Sequence, residues 1–381
     1  MTNAQIYSTV NAAASQAFGA SAIAAVDTGT FVSLGNQVLS SATSVDAFYS
    51  SLIDRIYQTI VVNRPYEAMK RNLRLTATEF GAVLQKISFE PGKAEQNDSW
   101  ISPQADPYNV TPSTIVTQKL FSKRGTWQHS DVIPEVQIFS AFTNESAMAA
   151  FIAGIYTSIM NLIQLEIERM DSAAVNTMMA NTYKNGTSTQ KRNLLSEYNT
   201  IAGTSLTAGD CCNSPGFLRY AAKEITQTVK FMRGLSTVYN AGGAQRHTPE
   251  SEVVVETLTE FSIASQYYME SDTYHDDLAR LGVAHTDINY WQGIGTANDF
   301  TARAQIQVIN DEIDPLNPTD TYTVTGILAN VRDREAVGTM FDRFRVETLR
   351  NPASEVLNTW YKADRGYFVD PNEQNVIFYV A

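Results

Sequence analysis

The chain has almost no cysteine: of its 381 residues only Cys211 and Cys212 are of that type, and they are adjacent. Neighbouring Cα atoms lie about 3.8 Å apart, too close for ordinary disulfide geometry. A disulfide framework is therefore excluded, which fits a reducing compartment or indifference to redox state. No Lys, Arg or His stands within five residues of the pair to lower a thiol pKa, so it reads as inert.

Charge is also scarce. Charged residues make up 18% of the chain against about 25% for an average soluble domain, so much of the surface must be neutral Ser, Thr, Asn, Gln, Tyr and Ala. Such a surface suits partners more than solvent. Bases are the minority, 28 against 40 acids for a net charge of −12, which argues against a protein whose main work is neutralising phosphates in a groove. Met1 to Ala25 contains no Lys or Arg and so lacks the charged start of a secretory signal; the protein is expected to be made and used without export. A hydrophobic share of 44% excludes a natively unfolded chain, and the length predicts about two to three packed units.

Catalytic motifs are missing as well. The sequence contains no G-x-G-x-x-G, P-loop, G-x-S-x-G, H-E-x-x-H or paired C-x-x-C, so no catalytic residue, cofactor or metal is expected. The strongest exception is His275, which stands with Tyr274, Asp276, Asp277, His285 and Asp287. Their spacing matches no known metal geometry, and a solvated helix start with acids at its N-terminal end is the plainer reading. Asp311, Glu312, Asp314, Asn317 and Asp320 form an acidic loop that departs from the calcium-loop pattern. Asn109, Asn144 and Asn185 fit the glycosylation pattern, which matters only in a secretory pathway.

The elements that are present follow an order. Residues 1 to about 42, rich in Ala, Ser, Thr and Gly, read as an extended arm that packs elsewhere, and Ser44 is expected to cap a helix over about 45–61. Two strand-like limbs, Ile87 with Phe89 and then Ile115 to His129, flank a polar stretch from Pro91 to Ser113 and predict a long hairpin. The strongest helical period runs from about residue 144 to 183. Its first part, Ser146 to Leu165, holds twenty uncharged residues. Thr157, Asn161, Gln164 and Glu168 share one face and Ile152, Ile155, Ile159, Leu162 and Ile163 the other, so it is an amphipathic helix and not a membrane span. A second helix is expected over Phe217 to about Arg233, an α/β unit through about 334, and antiparallel strands from Phe341 to the end.

The charge is unevenly distributed. Residues 64–124 hold nine bases and six acids, a net of +3, leaving 19 bases and 34 acids, a net of −15, elsewhere. A basic, projecting hairpin on an acidic body favours head-to-tail association of like subunits. Trp100 and Trp127 on that hairpin are either local packing or anchors at a subunit contact, whereas Trp291 reads as packing.

The order of arm, basic hairpin, long helix, α/β unit and returning strands resembles a tailed-phage major capsid protein of the Hong Kong 97 fold. Phe48 to Asn63 (FYSSLIDRIYQTIVVN), the helix Ser146 to Met178, and Asp342 to Pro352 (DRFRVETLRNP) are similar to the capsid subunits of small short-tailed phages with protein-primed genomes. The resemblance implies an α+β fold with an N-terminal arm and short helix over 1–60 and an extended E-loop hairpin over 75–130. A peripheral domain would comprise 131–215 and 335–381, with a spine helix at about 144–183, and an axial domain 216–334.

It further implies a non-enzymatic shell subunit of a virion capsid, assembled in the cytoplasm of a bacterial host. Its partners would be further copies of itself, in pentameric capsomers with hexameric ones as an option. A separate scaffolding protein, a portal protein and loosely contacted packaged double-stranded DNA would complete the set, with no membrane. Lys86, Trp100, Lys119, Lys123, Arg124 and Trp127 are the expected subunit contacts. An encapsulin-like compartment and a metal-dependent enzyme around His275 are the alternatives.

Overall fold

The computed structural model describes residues 3–63, 73, 84–90, 115–121, 124–142, 145–271, 281–292, 300–309 and 321–381. The N-terminal segment is helical, where an extended arm was expected. Helices α1 (Asn3–Phe18), α2 (Thr28–Val38) and α3 (Ala42–Asn63) follow one another. Asp27 caps α2 by accepting from Thr30 N at 2.8 Å, while the Thr30 hydroxyl takes the Asp27 N–H in return. The cap beside α3 is Ser41, whose Oγ accepts from Ser44 N at 3.1 Å, and not Ser44.

The physical reason for the departure lies in spacing that a composition count hides. Ile6, Val10, Ala13 and Ala14 recur on one side of α1, Phe31, Leu34 and Val38 on α2, and Val45, Phe48, Tyr49, Leu52 and Ile53 on α3, all buried in one cluster. Small residues allow close approach: a Cβ on Gly35 would come within 2.9 Å of the Phe142 ring.

That cluster is completed by α4 (Glu135–Ala141) and by the first half of α5 (Glu145–Asn185), through Met148, Ile152, Ile155 and Ile159. The long helix matches its expected span to within two residues. At 1.5 Å per residue its 41 residues extend roughly 60 Å. Its second half, through Ala174, Val175, Met178, Met179 and Ala180, enters a second core. Between the two, buried Glu166 pairs with Arg365, and buried Asp171 accepts from the Thr339 hydroxyl at 2.7 Å. The face of α5 turned from the first core carries exposed Ser146, Ala150, Ala153, Thr157 and Asn161, as an amphipathic packed helix requires.

Two sheets back these cores. Strands β10 (Val337–Asn351), β11 (Val356–Val369) and β3 (Arg124–Pro134) form an antiparallel sheet in the order β10-β11-β3. The second sheet, of order β4-β12-β9-β5-β6, joins β4 (Lys191–Asn193), β12 (Asn375–Tyr379), β9 (Ile327–Asp333), β5 (Val253–Leu258) and β6 (Thr286–Ile288). β4 and β12, which fall within 131–215 and 335–381, are thus strands of the same sheet as β5, β6 and β9. Gly326, at φ 76°, precedes β9, where any Cβ would run into the Val380 carbonyl oxygen. Helices α6 (Leu194–Ala202), α7 (Pro215–Met232) and α8 (Thr259–Ser271) contribute Leu194, Leu195, Phe217, Leu218, Ile225 and Phe261 to the second core.

The return limb 115–129 is two strands. β1 (Leu84–Glu90) pairs with β2 (Ile115–Phe121) in full seven-residue register, and β3 then belongs to the three-stranded sheet. Trp127 is thus a sheet residue opposite Ala363, half-buried against the first core, and not a hairpin residue.

Because the N-terminal helices are core elements, Leu34→Ala is expected to destabilise the isolated subunit by about 2–5 kcal/mol, measured by denaturant unfolding. A variant as stable as the parent would contradict the packing described.

Candidate functional site

Among the described residues no group of three or more His, Cys, Asp or Glu is placed to hold a metal ion. His275, Tyr274, Asp276 and Asp277 lie outside the described residues, as does the acidic loop from Asp311 to Asp320. His285 makes structural contacts, with Ser262 Oγ at 3.2 Å and the Val283 carbonyl at 3.1 Å. Cys211 and Cys212 are buried with sulfurs 3.8 Å apart, and the neighbouring thiol together with burial pushes the Cys212 thiol up. A cavity of about 400 Å³ is lined by Ser188, Thr189, Arg192, Glu224, Phe231 and Tyr239. Its one guanidinium is already held by Glu224, at 2.8 Å, and by Glu197.

The expected contact residues divide into three groups. Trp100 and Lys123 lie outside the described residues. Arg124 opens β3 opposite Gly366, and Trp127 stacks on His129 with ring centroids 6.5 Å apart. Lys86 and Lys119 are brought together, directly opposite each other across β1 and β2. Both are engaged by acids of the chain itself.

Lys86 Nζ lies 2.8 Å from Glu373, 3.4 Å from Asp370 and 3.6 Å from Glu335, and it donates to the Glu335 carbonyl at 3.2 Å. Lys119 Nζ reaches the other oxygen of Asp370 at 3.1 Å. Asp370 and Glu373 sit on the tight turn between β11 and β12, with side chains only 3% and 9% exposed, while Glu335 stands just before β10 and is 75% exposed. That turn is anchored in its own right: Asp370 N donates to the Ala336 carbonyl, Asp333 N to the Gln374 carbonyl, and Arg246 Nε approaches Glu373 at 3.5 Å. Phe121, at the end of β2, meets Phe368 with ring centroids 4.9 Å apart.

Burial by itself would lower the Lys86 pKa, but the hydrogen bond to Glu373 and the charges of Glu373, Asp370 and Glu335 outweigh it and hold the ammonium above the usual lysine range. The acids of this site, Glu335, Asp370 and Glu373, form no motif in the sequence. Nothing local in a sequence says which distant lysines they will meet.

The sequence model of the Phi29-like phage major capsid protein family matches residues 8–379. The chain belongs to that family. It is a shell-forming major capsid protein, and its place is the virion capsid. The structure of the head fiber and inner core protein gp22 of bacteriophage P68 contains a chain with the same fold, at TM-score 0.53 and 9% identity, covering 82% of this chain and 84% of that one. The capsid structure of Staphylococcus phage Andhra is similar at TM-score 0.49 and 10% identity, over 81% and 83% of the two chains. The mature capsid of bacteriophage PhiM1 follows at TM-score 0.46 and 7% identity, over 83% and 87%. No curated protein sequence matches the chain.

Two outcomes are expected. Cys211 and Cys212 stay unmodified by a thiol reagent in the folded subunit and react once it is unfolded, read by mass spectrometry. A lysine pKa raised by folding contributes stability below its unfolded value and loses it as pH climbs through the raised one. In reductively 13C-methylated protein the Lys86 resonance should accordingly titrate at higher pH than those of exposed lysines.

Proposed function

We propose that the chain is the repeating unit of an icosahedral shell enclosing double-stranded DNA, built from pentameric and hexameric capsomers in the cytoplasm of the bacterial host. It has no enzymatic role. A separate scaffolding protein and a portal protein are its assembly partners, and packaged DNA touches it only loosely. The supporting observation is the match to the major capsid protein family over residues 8–379.

In this reading residues 75–130 reach a neighbouring copy. The three-stranded sheet with the N-terminal helices and the first half of α5 is the peripheral unit, and the five-stranded sheet with α6 to α8 is the axial unit. With Lys86 and Lys119 engaged at home, Trp100, Lys123 and Arg124 become the contacts offered outward, and the −15 carried by the rest of the chain is the surface they meet. Exposed ion pairs are worth only about 0–1 kcal/mol each, so charge sets register while apolar burial supplies strength. Many weak, repeated contacts allow a growing shell to discard a misplaced subunit.

The test is light scattering after size-exclusion chromatography, on the chain alone and with its scaffold, followed by negative-stain imaging. Closed particles of megadalton mass are expected in at least one sample; small, fixed oligomers in both overturn the reading. Lys123→Glu combined with Arg124→Glu should leave subunits folded and stop shell formation. Intact shells from that double variant would remove those two residues from the contact.

A further inference from the structure

β1 and β2 form a two-stranded sheet that pairs with no other strand among the described residues. A lone two-stranded hairpin is marginal in water unless something holds it. Among the described side chains, the ionic contacts that hold it lie at the Lys86–Lys119 row of the ladder, with Phe121 packing on Phe368 two rows away. Lys86 from β1 and Lys119 from β2 converge on Asp370 from opposite sides, at 3.4 and 3.1 Å, and Lys86 continues to Glu373 and Glu335.

The cluster is shielded on one side and open on the other: the Lys86, Asp370 and Glu373 side chains are 17%, 3% and 9% exposed, whereas Lys119 and Glu335 are 35% and 75% exposed, so concentrated salt reaches its charges from the Lys119 and Glu335 side. Asp370 and Glu373 sit where β11 of the first sheet turns into β12 of the second.

We propose that this cluster is an ionic clasp which, in the free subunit, fixes the base of the hairpin to the joint between the two sheets, so that the hairpin is oriented before any neighbour arrives. The clasp rests on the reading of the hairpin as the element that meets the next copy, but its existence is a property of the single subunit. A segment already held in its working direction forfeits less freedom on association. Both limbs are held through the same carboxylate, so they turn as one piece. The surrounding charges are Lys86 and Lys119 from the hairpin, Glu335 before β10, Asp370 and Glu373 from the turn, and Arg246 from the loop after α7.

The deciding experiment is amide hydrogen exchange on unassembled full-length subunits. Lys86→Met combined with Lys119→Met keeps the aliphatic stems and removes both charges. Exchange over residues 84–90 and 115–121 should rise at least about tenfold, while exchange of β9 and the melting temperature stay near those of the parent. Because the variant leaves two shielded carboxylates with fewer partners, a second arm uses the unaltered chain. Raising salt until the Debye length falls to about 3 Å should loosen the same two segments and no others.

Unchanged exchange in the salt arm, or a variant whose hairpin exchanges like the parent's, overturns the clasp. As a consequence for assembly, the double variant should need a higher subunit concentration to form shells; shells at the parental concentration would refute the orienting role. Parental subunits that never form shells would overturn the proposed function, and the exchange result would still decide the clasp.

Discussion

One helix too long for any single core dictates the rest of this architecture. A 41-residue helix must be covered along its whole length, and the chain does so with two separate hydrophobic clusters: the N-terminal helices around Met148 to Ile159, and the helices and five-stranded sheet around Ala174 to Ala180. Where one core ends and the other begins, α5 exchanges apolar contacts for buried carboxylates, Glu166 to Arg365 and Asp171 to Thr339. A buried acid that lost its partner there would be left without compensation, so these two contacts fix the rotation and axial position of the helix against the strands. The C-terminal strands then cross the same boundary, β11 in the first sheet and β12 in the second.

The joint between those strands is also where the hairpin is tied. The turn from Asp370 to Glu373 collects cations from three remote parts of the chain, at Lys86, Lys119 and Arg246, and its backbone is held by Ala336 and by the Gln374 carbonyl with Asp333. A shell subunit must send one element outward while its body stays rigid. In the proposed reading, the root of that element rests on a turn that backbone hydrogen bonds and three cations anchor between the two sheets. Low charge elsewhere suits a molecule whose surface is largely to be covered by copies of itself.

Local periodicity was legible, and so were the elements that depend on it. The long helix, the helix after Pro215 and the antiparallel strands beyond Phe341 follow from 3.6- and two-residue patterns in the chain. The helices α1 and α2 were not legible, because Ala, Ser, Thr and Gly carry little apolar signal on their own. Their apolar residues become a core only when α3, α4 and α5 supply the facing surface. The break between β2 and β3 was hidden for a related reason. Each strand looks alike in sequence, and only the available partners, β1 for one and β11 for the other, separate them.

The sequence by itself determined the class of molecule: few charges, no catalytic motif, one dominant helix and a locally basic hairpin, all set by composition and short-range spacing. Tertiary structure alone decided what the basic hairpin does with its charge. Lys86 and Lys119 stand more than two hundred residues from Asp370, and electrostatic partnership depends on distance in space, which no local pattern encodes. The same holds for β12, which is five residues of turn away from β11 in the chain but belongs to the other sheet, because it pairs there with β4 and β9.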